Sequence, residues 1–128
     1  EFREFSLGIG TLRRRLRAAV QQYAGVSRDR PGLMRLQQET EEIQKELAGM
    51  RVPAHNIYPQ ALVDLLQLEA MCETAGVIAG SALLRTESRG HHFRTDYPVQ
   101  DDVRWRQHTC VKAEAGQPRF CVQPIARE

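Results

Sequence analysis

Between Arg85 and Trp105 the chain reads RTESRGHHFRTDYPVQDDVRW, where side chains able to do chemistry are densest. Two adjacent histidines, His91 and His92, sit among Arg85, Glu87, Arg89, Arg94, Asp96, Asp101, Asp102 and Arg104, a close mixture of both signs. His91, His92, His108 and Cys110 could offer nitrogen and sulfur to zinc. However, adjacent residues point in different directions, and no helical or knuckle spacing gathers the set. His92 beside Asp96 could move a proton, yet the flanking pattern builds no α/β or barrel scaffold to form a pocket around it. Trp105, between Arg104 and Arg106, could stack on a base or rest at a membrane interface, although packing over the end of a helical bundle is the commoner use of one large ring. Docking remains. Arg89 and Arg94 offer planar forks for carboxylates or carbonyls, and Glu87, Asp96 and Asp102 can receive such forks or cap backbone amides. Charges this close keep one geometry only through reciprocal pairing, inside the segment or across an interface, and the residue types leave both open.

Other motifs carry less. GIG at residues 8–10 lacks the third glycine, the preceding strand and the downstream acid of a dinucleotide fingerprint. No serine or cysteine has a nucleophile's local context. Three cysteines, Cys72, Cys110 and Cys121, are too few and scattered for a disulfide framework. Cys72 falls on an apolar helix face as a small hydrophobe. Cys110 and Cys121 lie on strands that could face each other, with two free thiols in a reducing cytoplasm as the plainer reading and a bridge as the other.

The elements that must position this segment are helical. A first helix runs from about Leu7 to Tyr23, with Leu12, Leu16, Ala19, Val20 and Tyr23 on one face and Arg13, Arg14, Arg15 and Arg17 on a solvated surface. A second begins near Arg30-Pro31, with Asp29 as cap. Its seam is Leu33, Leu36, Thr40, Ile43, Leu47 and Met50, with Glu39, Glu41, Glu42, Lys45 and Glu46 outside. Gly49 and Pro53 close it, and Met50 to Tyr58 is a loop holding His55 and Asn56. The third helix, from about Pro59 to Arg85, carries Ala61, Leu65, Leu68, Cys72, Ala75, Ala79 and Ala82 at alternating spacings of four and three. Its second half, AGVIAGSALL, has two internal glycines that cost about 1 kcal/mol each relative to alanine. Small side chains admit a close neighbour, so this half is expected to be buried on more than one side. Beyond the charged stretch, Thr109 to Lys112 and Phe120 to Gln123 read as a hairpin turning at Ala115-Gly116. Two strands alone are marginal in water, so the ribbon needs a surface to lie on.

The 128 residues suit one domain: a mainly α fold, with an antiparallel three-helix bundle over 7–85, an irregular charged docking segment over 86–108 and a short C-terminal β-hairpin over 109–125. With 41% hydrophobic and 27% charged residues the composition is that of a folded chain. A formal net charge of +2 points to neither nucleic acid nor membrane as partner, and no apolar run approaches the ~20 residues of a membrane span. The opening EFREF, without an initiator Met, suggests a fragment, a processed form or an engineered piece.

The order Arg85-Thr86-Glu87-Ser88-Arg89-Gly90, then His92, Arg94, Asp96, Pro98 and Asp102, then Trp105, His108 and Thr109, closely resembles one family. That family is the C-terminal domain of the succinate dehydrogenase and fumarate reductase flavoprotein subunit, shared with L-aspartate oxidase. The likeness extends back through LLQLEAMCETAGVIAGSALLRTESRG and LRAAVQQYAGVSRDRPGLMRLQQE, from about Leu7 to Ile125. Family members often carry a small residue at the position of His91 and an Asn at that of Ala70.

The resemblance implies a spectrin-repeat-like bundle that packs against an upstream flavin-binding domain and is catalytically silent alone. FAD would belong to the full-length parent, an oxidoreductase of dicarboxylates in electron transport, and this chain would bind no cofactor or metal and hold no catalytic residue. The interdomain docking residues would be Glu87, Ser88, Arg89, His92, Arg94, Asp96, Asp102 and Trp105. An iron–sulfur subunit is a further partner the resemblance suggests, with a cytoplasmic location, peripheral to the membrane through partner subunits. Two alternatives stand beside this: the equivalent domain of L-aspartate oxidase, and a free-standing helical protein-interaction module.

Overall fold

The computed structural model describes residues 2–52 and 60–126, so the expected loop positions His55 and Asn56 lie outside the described residues. Its elements are α1 (Phe2–Tyr23), α2 (Arg30–Gly49), α3 (Gln60–Leu84), α4 (Asp102–Trp105), β1 (Gln107–Glu114) and β2 (Gln117–Pro124). The first three form the bundle. Gly8 of α1 lies beside Met50, Arg15 bonds to residues 39–46, and Gly32 lies beside Tyr23, so α1 and α2 run antiparallel. Gly76 of α3 approaches Thr40, and Ala79 clusters with Leu36, so α3 reverses direction again.

Helix α1 starts earlier than its expected boundary at Leu7. Phe5 and Ile9 continue the stripe of Leu12, Leu16 and Ala19 by a further two turns, and both are buried. Their burial against the cluster holding Leu47, Ala61 and Leu68 offsets the poor helix propensity of Gly8 and Gly10, so GIG lies inside a helix. In α2, Asp29 caps the helix by accepting from the Gly32 amide at 2.8 Å, with Pro31 in the first turn. The seam of Leu33, Leu36, Thr40, Ile43 and Leu47 is buried. Glu39 corrects the expectation of an outward position. It is buried between α1 and α2, where Arg15 donates to it at 2.7 Å and Arg35 at 2.7 Å. Two guanidinium partners compensate the desolvation that would otherwise keep a glutamate outside.

Helix α3 is apolar nearly all round. Ala61, Leu68, Cys72, Ala75, Ala79 and Ala82 are buried, while Leu62, Val63, Leu66 and Ile78 are exposed. Its small residues find their cover within the chain. Ala79 meets Ala19 and Leu36, and Gly80 meets the ring of Phe120 from the hairpin.

Strands β1 and β2 pair antiparallel with Val111 opposite Phe120 and Cys110 opposite Cys121. They are longer than expected at both ends. Ala115 and Gly116, with φ of 50° and 77°, form the left-handed two-residue turn that matches strand twist. Val111 and Phe120 share a face that lies over α2 and α3, which is the surface the ribbon needs.

Candidate functional site

The charged segment begins where α3 ends, and the loose carbonyls of that end organise it. A helix leaves its last carbonyls without amide partners and carries partial negative charge there. The guanidinium of Arg94, only 1% exposed, fills this place. Its Nη1 donates to the carbonyls of Ala82 at 2.9 Å, Leu83 at 3.2 Å and Arg85 at 3.4 Å. The other edge of the fork grips Asp96, with Nε to Oδ1 at 2.8 Å and Nη2 to Oδ2 at 2.6 Å. The same carboxylate accepts from the Arg30 amide at 3.0 Å, at the positive start of α2. Arg94 and Asp96 thus form a chain of alternating charge from the C-terminus of α3 to the N-terminus of α2. The Arg94 fork, ahead of the opposing effect of burial, holds the Asp96 carboxyl down at about 2.

Backbone pairing closes the same join. The Arg28 amide donates to the Phe93 carbonyl at 3.0 Å, and the Thr95 amide to the Arg28 carbonyl at 2.8 Å. Ser88 fastens the turn from inside, accepting from the Arg94 amide at 2.9 Å and donating to the Tyr97 carbonyl at 2.7 Å. Gly90, at φ 58°, takes the left-handed position between Arg89 and His92, which exchange both backbone hydrogen bonds.

Glu87 is the second node, with 0% exposure. Arg85 donates to Oε1, Arg89 spans both oxygens at 2.9 and 3.2 Å, and the Asp101 amide donates at 2.7 Å. Burial pushes this carboxyl upward, but the bonds from Arg89, the Asp101 amide and Arg85 outweigh it and hold the group below its ordinary range. Arg85 lies over the Trp105 ring at 5.0 Å and donates to the carbonyls of Trp105 and Gln107, tying the charged segment to β1. Trp105 Nε1 donates to Thr86 at 3.2 Å. The imidazole of His92 is half-buried, with Nε2 at 3.3 Å from the Arg85 carbonyl and Nδ1 at 3.4 Å from Arg28 Nη1, an arrangement that calls for the proton on Nε2. Burial, then the charges of Arg28, Arg94 and Arg85, lower its pKa against the pull of that carbonyl.

The structure therefore sorts the expected residues. Glu87, Ser88, Arg94, Asp96 and His92 are gathered at the junction of α3, α2 and the segment, and their polar atoms are engaged inside the chain. Arg89 and Asp102, joined at 2.6 Å, lie at the surface. Beside them Tyr97, Val99 and Val103 present apolar side chains, the last 96% exposed. The sequence reading missed the role of Arg28, which reaches Phe93 and Thr95 of the segment from the distant loop between α1 and α2, and for which no local signal exists. It also missed α4, although Asp101 capping the Val103 and Arg104 amides at 3.1 and 3.0 Å is a legible helix start.

A flavin dinucleotide needs glycine-rich backbone at a strand-to-helix junction and positive potential for its pyrophosphate. Among the described residues the one sheet is a two-stranded antiparallel ribbon, and the start of α2 already carries the carboxylates of Asp29 and Asp96. A groove of about 480 Å³ between the hairpin and α2–α3 is rimmed by Glu41 and Glu73 rather than by arginine or lysine. These residues do not fit the cofactor. No helix of the described residues is long and apolar enough to cross a membrane.

The family model described as fumarate reductase flavoprotein C-term matches residues 13–128. A fumarate reductase flavoprotein subunit from Mycobacterium tuberculosis is 35% identical over 108 residues, which are 84% of this chain and 18% of that protein. A succinate dehydrogenase flavoprotein subunit from Coxiella burnetii is 35% identical over 102 residues, 77% of this chain and 17% of that protein. Among solved structures, the FrdA chain of an E. coli quinol fumarate reductase variant aligns with a TM-score of 0.76 at 24% identity, over 91% of this chain and 21% of that one, a likeness of fold. The chain thus spans about a fifth of the length of these relatives.

Proposed function

The chain belongs to the fumarate reductase flavoprotein C-terminal family, and from that premise we propose that it serves as the C-terminal helical domain of a flavin-dependent oxidoreductase of four-carbon dicarboxylates. The flavin and substrate are held by another part of the parent protein, and this domain packs against the flavin-binding domain. The observation that carries the reading is the self-contained ion-pair lattice of the charged segment, in which Glu87 and Arg94 are buried and fully engaged. Such a lattice fixes a shape rather than performing a reaction. What it holds in place is the outer rim of Arg89, Asp102, Tyr97, Val99 and Val103, a polar pair beside exposed apolar side chains, the composition of a modest interdomain contact.

Within this reading the eight expected docking residues divide. Arg89, Asp102 and the neighbouring valines meet the flavin-binding domain, while Glu87, Ser88, His92, Arg94, Asp96 and Trp105 hold them in position. An iron–sulfur subunit is a further partner, and the complex works at the cytoplasmic face of a membrane through its partner subunits. The test is to express the chain both alone and joined to the reading frame that precedes it, then to measure bound flavin and turnover of fumarate and succinate. The joined protein is expected to carry flavin and turn over a dicarboxylate, and the 128-residue chain to do neither. A flavin retained by the 128 residues alone, or a joined protein without flavin, overturns the proposal.

A further inference from the structure

We propose that Cys110 and Cys121 form a reversible dithiol–disulfide site on the outward face of the hairpin, a modification site independent of the docking role. The two cysteines are direct cross-strand partners, and both thiols are free and half-buried. Their face follows from their neighbours. Val111 and Phe120 turn inward over α2 and α3, and successive side chains of a strand alternate. Cys110 and Cys121 therefore stand on the opposite side, away from the bundle.

Register sets the geometry. In a two-residue hairpin the pair that closes the turn, here Glu114 and Gln117, exchanges both backbone hydrogen bonds, and bonded pairs alternate from there. Four steps back, Cys110 and Cys121 occupy another bonded pair, for which Cα atoms stand about 5.5 Å apart. That separation lies inside the ~4.4–6.8 Å over which disulfides form. The Cβ atoms of such a pair begin near 5.5 Å and must close to about 3.8 Å. The bridge therefore forms under strain, and strained disulfides are the readily reduced ones. Cys72, by contrast, is buried in the bundle core, where burial pushes its thiol up to about 11.

The oxidant class is a low-molecular-weight disulfide such as oxidised glutathione. One cysteine thiolate attacks a sulfur of that disulfide, forming a mixed disulfide and releasing one glutathione thiolate. The second cysteine thiolate attacks the protein-side sulfur, closes the intrachain bond and expels the other. Two protein thiols are oxidised, one glutathione disulfide becomes two thiols, and the two cysteine protons pass to glutathione. Closure tightens the ribbon between Phe120, lodged at Gly80, and Thr109, which accepts from Arg85 Nε at 3.3 Å.

The whole chain is equilibrated with graded ratios of reduced and oxidised glutathione, free thiols are trapped by alkylation, and the digest is read by mass spectrometry. The expected result is an intrachain Cys110–Cys121 peptide pair that appears at oxidising ratios and disappears when reduced glutathione is restored. The Cys72→Ala variant should behave in the same way, and Cys110→Ser should give only a glutathione adduct at Cys121. Cysteines that remain alkylatable at every ratio, products linked through Cys72 or between chains, adducts without ring closure in the unsubstituted chain, or a bridge that resists reduced glutathione each overturn the proposal.

Discussion

The ring of Phe120 occupies the place where a side chain at Gly80 would stand. A Cβ added to Gly80 would lie 2.6 Å from two ring carbons and closer still to the ring tip. Gly80 therefore exchanges helix propensity for an anchor that holds the hairpin on α3. Gly80→Ala should destabilise the chain by up to about 2 kcal/mol, because overpacking at about 1–3 kcal/mol outweighs the ~1 kcal/mol gained in propensity. In a Phe120→Ala background the same change should instead stabilise by up to about 1 kcal/mol. A double-mutant cycle by urea denaturation measures the reversal, and a Gly80→Ala effect of one sign in both backgrounds would contradict the anchor.

Arg94 tests the junction of helix ends. Lysine in its place keeps the charge but cannot span Asp96 with two nitrogens while a third donates to the carbonyls of Ala82 and Leu83. Arg94→Lys should therefore lower stability by roughly 2–3 kcal/mol, the cost of losing hydrogen bonds to charged groups that a single nitrogen cannot keep. Amide exchange should locate the damage at the end of α3 and the start of α2. A loss below about 0.5 kcal/mol, the level of an exposed pair, would show that the fork is dispensable.

The helices were legible because their evidence is local: an apolar stripe repeats within each, and Asp29-Arg30-Pro31 marks a start. Asp29 as cap, Thr40 in the α2 seam and the Ala115-Gly116 turn all stand where residue type and spacing put them. Glu39 was illegible because its burial depends on Arg15, which approaches from another helix. The charged segment was half legible. Its residue types promised reciprocal pairing, but whether Arg94 pairs inward depends on the chain returning to carbonyls at Ala82 to Arg85. Helix α4, with four residues, is too short to show a period.

Acid should weaken the fold in two stages. His92 has its native pKa lowered from 6.5 by burial, so the unfolded chain binds a proton more readily. The stabilising contribution is complete above 6.5 and is lost as pH falls through the lower native value. Asp96, held at about 2 against 3.8, contributes fully above 3.8 and loses its share as pH falls toward 2. Thermal melts from neutral pH downward should fall first in the histidine range and again in the carboxylate range. His92→Gln should remove the upper stage and Asp96→Asn should remove its part of the lower. An upper stage that persists in His92→Gln would assign it to another group.

Arg15 offers a contrast between ion pairs near solvent and those at the end of α3. It donates to Glu39 at 2.7 Å, Glu42 at 2.6 Å and Glu46 at 2.6 Å, three carboxylates on one face of α2. The glutamates repel one another when the arginine is absent, and among the described residues only Glu39 of the three keeps a second ion-pair partner, Arg35. Most of this network is open to water, so its strength is that of a screened network rather than a buried pair. Arg15→Ala should cost about 1 kcal/mol at low salt and clearly less near 1 M salt, where the Debye length shrinks to about 3 Å. Denaturation midpoints across an ionic-strength series measure this. A penalty independent of salt would mean that the arginine acts through the packing of its hydrocarbon stem against α2, with its charge playing no part.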